Sequence, residues 1–243
     1  MTSVSRIFTG YDNNVQVIYN VLTSSIIRRT SIPVSFTPLQ LHALGAFFKR
    51  GRDPLGSTEF SISRFLVPYL SNYEGFSIFM DNDIIVTRDI KGLVDLYDPQ
   101  YAIQVVKHDY TPQEGRKFLG EKQFVYEKKN WSSVIIFNNA KCKALTPSVV
   151  ETATGKFLHQ FKWLESEDLI GELPLEWNFL VDEYEKPDEL PALLHYTLGG
   201  PYFRATRHCD YADEWIEEFD YMNSTMEGAV NFSDELFDSL RSV

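Results

Sequence analysis

The run FSIFMDNDIIV at residues 76–86 constrains this chain more than any other stretch. Its first half is apolar, as expected of a central strand covered on both faces, and strands of that kind belong to α/β sheets with helices on either side. The run then stops on Asp81 and Asp83. Side chains two apart on a strand point to the same side, so these carboxylates converge where the sheet opens to solvent. Two acids that close repel each other. A divalent cation such as Mg²⁺ or Mn²⁺ removes that cost and keeps positions open for phosphate oxygens. A solvent-facing turn is the alternative, because Asp and Asn are common turn formers. The buried strand in front weighs against it, since such strands deliver their carboxyl-end residues to the ligand crevice.

The flanking sequence supplies the rest of an α/β domain. SRIFTG reads as a strand closed by Gly10, and YDNNVQVIYNVLTSSIIRR follows with Val17, Ile18, Val21, Leu22 and Ile26 at helical spacing. Asp12 or Asn13 is expected to cap that helix. IPVSFTPL is a second strand, so the chain opens β-α-β, with the loop TGYD at the carboxyl end of the first strand, where open sheets bind ligands. Residues 42–58 carry Gly, Pro and charge without periodicity and are expected to form a mobile lid. TEFSISRFLVPYL reads as a helix ended or kinked by Pro68. Further strands are expected in DIIVT, YAIQVVKHD, SSVIIFNN and PALLHYTL, with a helical turn in GLVDLYD.

Composition sets limits. The 243 residues are 44% hydrophobic and 14% aromatic, enough for one packed domain without disulfide or metal staples. A formal net charge of −11 repels a phosphate polymer, and the basic islands IIRRTS, FFKRGR and YEKKNW are short, so nucleic acid is a poor partner. Cys142 and Cys209 have no paired spacing, which suits a reducing compartment. The opening MTSVSRIFTGYDNN lacks the pattern of a secretion signal, and no segment approaches the ~20 apolar residues of a membrane span. A cytoplasmic protein is expected. From residue 210 the sequence turns acidic, and Trp215, Phe219 and Met222 share a helix face; 1–209 is expected to form the main domain and 210–243 a helical extension packed on it.

Phosphatases of the haloacid dehalogenase type also end an apolar strand with D-x-D, but here Ile85 occupies the place where they favour Thr or Val, and no later paired-acid motif follows a strand. A better match lies elsewhere. RIFTGYDNN, SISRFLVPYL, FSIFMDNDIIVTRDI, SSVIIFNN, LHQFKW, LPLEWN and HYTLGGPYF occur in the order of a GT-A glycosyltransferase, and the chain resembles, over about residues 4–204, the glycogenin and galactosyltransferase group called family eight. The resemblance implies a Rossmann-like, mostly parallel central sheet flanked by helices. It also implies Mn²⁺ or Mg²⁺ bound by Asp81, Asp83 and His195, a nucleotide-diphosphate sugar as donor (a UDP-sugar foremost), and a glycan, lipid or protein acceptor.

Residue by residue, the resemblance implies that the loop Thr9, Gly10, Tyr11, Asp12 holds base and ribose, with Tyr11 stacking. It places Arg64 near the donor, together with Asn82. Asn138 lies just past a strand, where an amide can read sugar hydroxyls. His159 and Gln160 map onto an Asp-Gln pair near the reacting carbon, so His159 is a departure that bears on the recognised sugar. Gly199 and Gly200 lack Cβ atoms and could let backbone N–H groups approach a phosphate; a tight turn before Pro201 is the alternative. The group's lysine before Pro201 is absent, with Arg204, Arg64 or Lys162 as possible substitutes. Trp163 and Trp177 are either walls for a sugar ring or core residues. Asp83, Gln160 and Arg64 are the expected catalytic residues, and retention of configuration is expected; an inverting enzyme would need a base such as Glu176 or Asp182. A catalytically inert module that binds nucleotide sugar or glycan is the competing reading.

Overall fold

Strand β1 (Ser5–Gly10), helix α1 (Gln16–Arg29) and strand β2 (Val34–Leu39) form the opening β-α-β unit of a computed structural model that describes residues 4–51, 58–109 and 127–224. β1 and β2 run parallel, from Ser5 opposite Val34 to Gly10 opposite Leu39. The helix buries Ile18, Val21, Leu22 and Ile26, the three-and-four spacing of one face. The expected cap is not made. Val15 holds the N-cap position with no side-chain bond, because Asp12 turns back to accept from the Asn14 backbone N–H at 2.9 Å and side-chain amide at 2.8 Å.

The segment read as one helix is two short pieces, a 3₁₀ turn at Ser63–Leu66 and then α2 (Val67–Leu70). Pro68 sits in the first turn of the second piece rather than ending the first, since a first-turn residue has no intrahelical N–H bond to lose. Next come β3 (Phe76–Met80), β4 (Ile84–Val86), α3 (Lys91–Val94), β5 (Ile103–Val105) and β6 (Val134–Asn138). Helices α4 (Pro147–Thr152) and α5 (Gly155–His159) are each capped by a threonine, Thr146 and Thr154, that accepts a first-turn N–H. Strands β7 (Ile170–Glu172), β8 (Phe179–Leu180) and β9 (Leu193–His195) and helix α6 (Ala212–Asn223) follow.

The central sheet has the order β2-β1-β3-β6-β5-β7, and β4-β9-β8 form a second, smaller sheet. Most central pairings are parallel; β6 runs antiparallel to both β3 and β5. Apolar side chains fill both faces of the central strands, as the unbroken runs FSIFM and VIIF require. A third cluster joins Ile18 and Val21 of α1 to Ile85, Leu194, Tyr196 and Trp215, which seats α6 on the body. There Glu218 is buried and paired with Arg28 at 3.1 Å and with Arg29. Residues 225–243 lie outside the described part.

One expectation needs correction. The stretch foreseen as a lid is anchored up to residue 51: Leu44 and Phe48 are core residues, and the Lys49 backbone N–H donates to Glu151 Oε1 at 2.6 Å. Residues 52–57 lie outside the described part. Of the two uses open to Trp163 and Trp177, both take the core one, and Trp177 presses its ring against Gly92.

Candidate metal centre

Three elements meet at the carboxyl end of β3. The backbone N–H of Asp81 donates to Ser133 O at 2.8 Å, which carries the ladder one residue past the strand, and the Asp83 carbonyl accepts from the Tyr196 N–H at 2.9 Å. Between them the chain turns at Asn82. β9 pairs antiparallel with β4, Ile84 opposite His195, so a residue from the second half of the chain arrives beside Asp83. His195 Nε2 lies 3.2 Å from Asp83 Oδ1 and 4.0 Å from Asp81 Oδ2. One ligand atom from each of Asp81, Asp83 and His195 falls within 4.8 Å of the others.

The electrostatics are those of a site short of positive charge. Burial pushes the Asp81 carboxyl up to about 6, with Asp83 adding to the shift and Arg64 and His195 opposing it. Arg64, itself buried, sets Nη1 2.9 Å from Asp81 Oδ1. It also donates to Ser132 O at 2.8 Å and Ser61 O at 3.1 Å, and its guanidinium stacks 4.9 Å from the Phe79 ring. Held this way, Arg64 fixes one carboxylate oxygen and leaves Asp81 Oδ2 facing His195. Two carboxylates and one imidazole, buried and converging, fit a divalent cation that takes both oxygen and nitrogen ligands. Asn82 agrees with this. It is 1% exposed, and neither atom of its amide has a partner among the described residues, an arrangement that costs free energy unless it is matched.

His195 is held from behind. Its Nδ1 lies 2.9 Å from Asn178 Oδ1, and Asn178 Nδ2 lies 3.0 Å from His108 Nε2 and 2.9 Å from Ser133 Oγ. His108 Nδ1 is 3.0 Å from the Tyr184 hydroxyl. Burial, with the nearby His195 ring as a lesser cause, brings the His108 pKa down to about 3, so its ring is neutral.

The first-strand loop also reaches this end, since Thr9 pairs with Met80 across β1 and β3. Gly10 is required there: a Cβ would lie 2.3 Å from the Phe60 ring. Tyr11 packs edge-on against Tyr19 at 5.2 Å, and Asp12 is fully buried with Oδ2 unpartnered. His159 Nδ1 meets Ser132 Oγ at 2.8 Å and packs on Phe65, which ties it to the Arg64 segment. Gln160 is buried with Oε1 unpartnered.

Three expected residues are placed otherwise. β6 runs antiparallel, so Asn138 pairs with Phe76 at the start of β3, the end remote from Asp81, and its amide donates to Pro99 O at 3.1 Å. The amino end of β6 takes that place, with Ser132 and Ser133 as the residues the sequence reading missed. Gly199 has φ +107° and gives its N–H to Tyr196 O at 2.8 Å, so it serves a turn rather than a phosphate. Gly200 packs under the Tyr202 ring. Of the two bases considered for inversion, Glu176 is paired with Arg88 at 2.7 Å and Asp182 accepts from the Asp210 N–H at 3.0 Å.

A mixed, mostly parallel central sheet flanked by helices is the fold of GT-A glycosyltransferases, and solved structures with that fold align with this chain. The bifunctional glycosyltransferase WbbM, in its apo form, aligns with a TM-score of 0.59 and 16% identity, covering 98% of this chain and 52% of WbbM. GlyE of Streptococcus pneumoniae TIGR4 gives 0.61 and 15% over 98% of this chain and 64% of GlyE. The galactosyltransferase LgtC, in complex with donor and acceptor sugar analogs, gives 0.54 and 12% over 91% of this chain and 98% of LgtC. The chain thus spans about half the length of WbbM and just under two thirds of GlyE. No protein-family profile matches it. Over 227 residues it is 48% identical to Protein CDI of Arabidopsis thaliana, covering 90% of this chain and 87% of that protein, and it belongs to the same family. No helix among the described residues is long and apolar enough to cross a membrane.

Proposed function

We propose that this chain is a metal-dependent glycosyltransferase of the family eight group, moving a sugar from a nucleotide-diphosphate sugar, UDP-linked in the first instance, to an acceptor hydroxyl with retention of configuration. The observation that carries the reading is the convergence of Asp81, Asp83 and His195 at the carboxyl end of β3 within a GT-A fold. Those three residues would hold Mn²⁺ or Mg²⁺, which when bound supplies Lewis-acid stabilisation of the leaving diphosphate. Arg64 steadies Asp81 from the protein side. With that guanidinium already committed, it does not replace the lysine missing before Pro201. Asn82 and Gln160 offer unpaired amide atoms to the donor, and Tyr11 offers a ring to its base. His159, neighbour to Ser132, replaces an obligate acceptor by a group that can donate, which bears on the sugar accepted. Residues 1–209 constitute the transferase unit in this reading and 210–243 an acidic extension. The two free cysteines accord with a cytoplasmic setting.

The test is nucleotide release from a panel of UDP- and GDP-sugars, with Mn²⁺, with Mg²⁺ and with chelator. Metal-dependent release that is lost in Asp81→Ala and Asp83→Ala is the expected result. Nucleotide affinity indifferent to metal, with turnover intact in both variants, would overturn the proposal. Tight metal-dependent nucleotide binding without turnover on any donor would identify an inert binding module, the reading that the absent lysine and His159 favour.

A further inference from the structure

The buried chain of side chains behind His195 has a direction that can be deduced from one fixed point. Asn178 Nδ2 lies 3.4 Å from the backbone carbonyl of Asn130, and a carbonyl only accepts, so this end of the side chain is the NH₂ group. Ser133 Oγ already donates to Asn130 O and is therefore also an acceptor toward Asn178. The two amide hydrogens point to the nearer acceptors, Ser133 Oγ at 2.9 Å and His108 Nε2 at 3.0 Å; an amide nitrogen does not accept, so that ring nitrogen is unprotonated, and in a neutral ring the proton sits on Nδ1, facing the Tyr184 hydroxyl. With NH₂ so placed, Asn178 Oδ1 can only accept, and the group 2.9 Å from it is His195 Nδ1. His195 Nδ1 thereby carries a proton, and Nε2 is the nitrogen turned to the carboxylates.

We propose that His108 is a positioning residue for the metal site, acting through Asn178 to hold His195 in the Nδ1–H form with Nε2 free to ligate. The inference rests on the metal reading above and adds residues that carry no ligand atom themselves. Asn178 is fully buried, and His108 and His195 are 7% and 2% exposed, so water does not substitute for a lost link. A hydrogen bond of this kind to the far nitrogen of a ligating imidazole sets its orientation and its basicity. His108 sits past β5 and Asn178 before β8, which makes the arrangement a product of the tertiary fold.

The experiment is a long-range ¹H–¹⁵N correlation of the histidine rings in the metal-free full-length chain at about pH 8, where imidazoles are largely neutral. It is paired with Mn²⁺ titrations followed by electron paramagnetic resonance. Wild type is expected to show His195 protonated at Nδ1. His108→Leu, which cannot accept from Asn178, should mix the two tautomers and weaken Mn²⁺ binding about 10-fold. His108→Gln, whose Oε1 can accept the same hydrogen, should return affinity close to wild type. A His195 protonated at Nε2 in wild type overturns the proposal, as does a folded His108→Leu with unchanged tautomer and affinity, which would make His108 merely structural. The wild-type spectra carry the test even where His108→Leu fails to fold. Wild type that shows the Nδ1–H form yet binds no Mn²⁺ would sink the metal reading while leaving the side-chain relay in place, so the two failures are distinguishable.

Discussion

At the amino end of β3, where Asn138 lies opposite Phe76, Asn139 donates its amide to Glu74 O at 2.9 Å and Ser77 Oγ at 3.0 Å, and Asn138 donates to Pro99 O. At the carboxyl end Asn82 is as deeply buried, yet neither of its amide atoms is matched, and it is flanked by two carboxylates whose nearest cation is a single arginine. Both ends read alike on paper, an apolar strand running into asparagine. The first uses its amide donors to close the fold. The second leaves both Asn82 amide atoms unmet among the described residues, against the single Asn139 Oδ1 at the first, and buried polar groups are costly unless matched.

The sharpest way to break this comparison is to cut each end in turn. Asp83→Ala should remove the metal response and lower turnover by ~100-fold or more, the scale of losing a main transition-state contact. A loss of similar size in Asn139→Ala, measured per folded molecule, would erase the distinction between the ends. The second effect is on pH. Because the Asp81 carboxyl is raised from 3.8 to about 6, a proton competes with the cation below that value, and Mn²⁺ affinity should fall by up to ~10-fold per unit as pH drops from 6 toward 5. Without metal the sign reverses. The native state binds the proton more tightly than the unfolded chain does, so this residue's contribution to stability declines as pH rises from 3.8 through 6. The difference in melting temperature between wild type and Asp81→Asn across that window measures it. Gly10→Ala comes third. Its methyl would meet the Phe60 ring, an overpacking worth ~1–3 kcal/mol, and nucleotide affinity should fall with it because the same loop moves. Smallest is Asn139→Ala, expected to cost ~1–3 kcal/mol of stability, visible as a lower melting temperature with specific activity intact.

What the sequence disclosed follows from what local patterns encode. Period two placed Asp81 and Asp83 on one side, and helical spacing found the buried face of α1. The direction of β6 was not encoded: VIIF is equally apolar whether a strand runs parallel or antiparallel, so Asn138 was set at the wrong end and Ser132 and Ser133 went unnoticed. Proline chemistry allows two outcomes at Pro68, a stop or a start, and the apolar run around it does not choose. His195 needed the resemblance to be singled out, since a histidine after ALL is ordinary. His108 carried no signal at all; its meaning lies in Asn178, seventy residues onward.

The pairing of β4 with β9 joins opposite halves of the chain, and this makes the putting-together of the ion site a late event in folding. Until Leu193–His195 docks, the acid pair has lost its third arm, however well formed the first β-α-β unit is. A cation that grips all three would act as a clasp between early and late segments. The protein should therefore resist unfolding more as free metal rises, with the logarithm of its concentration, and a frayed β9 should be the natural exit for the ion.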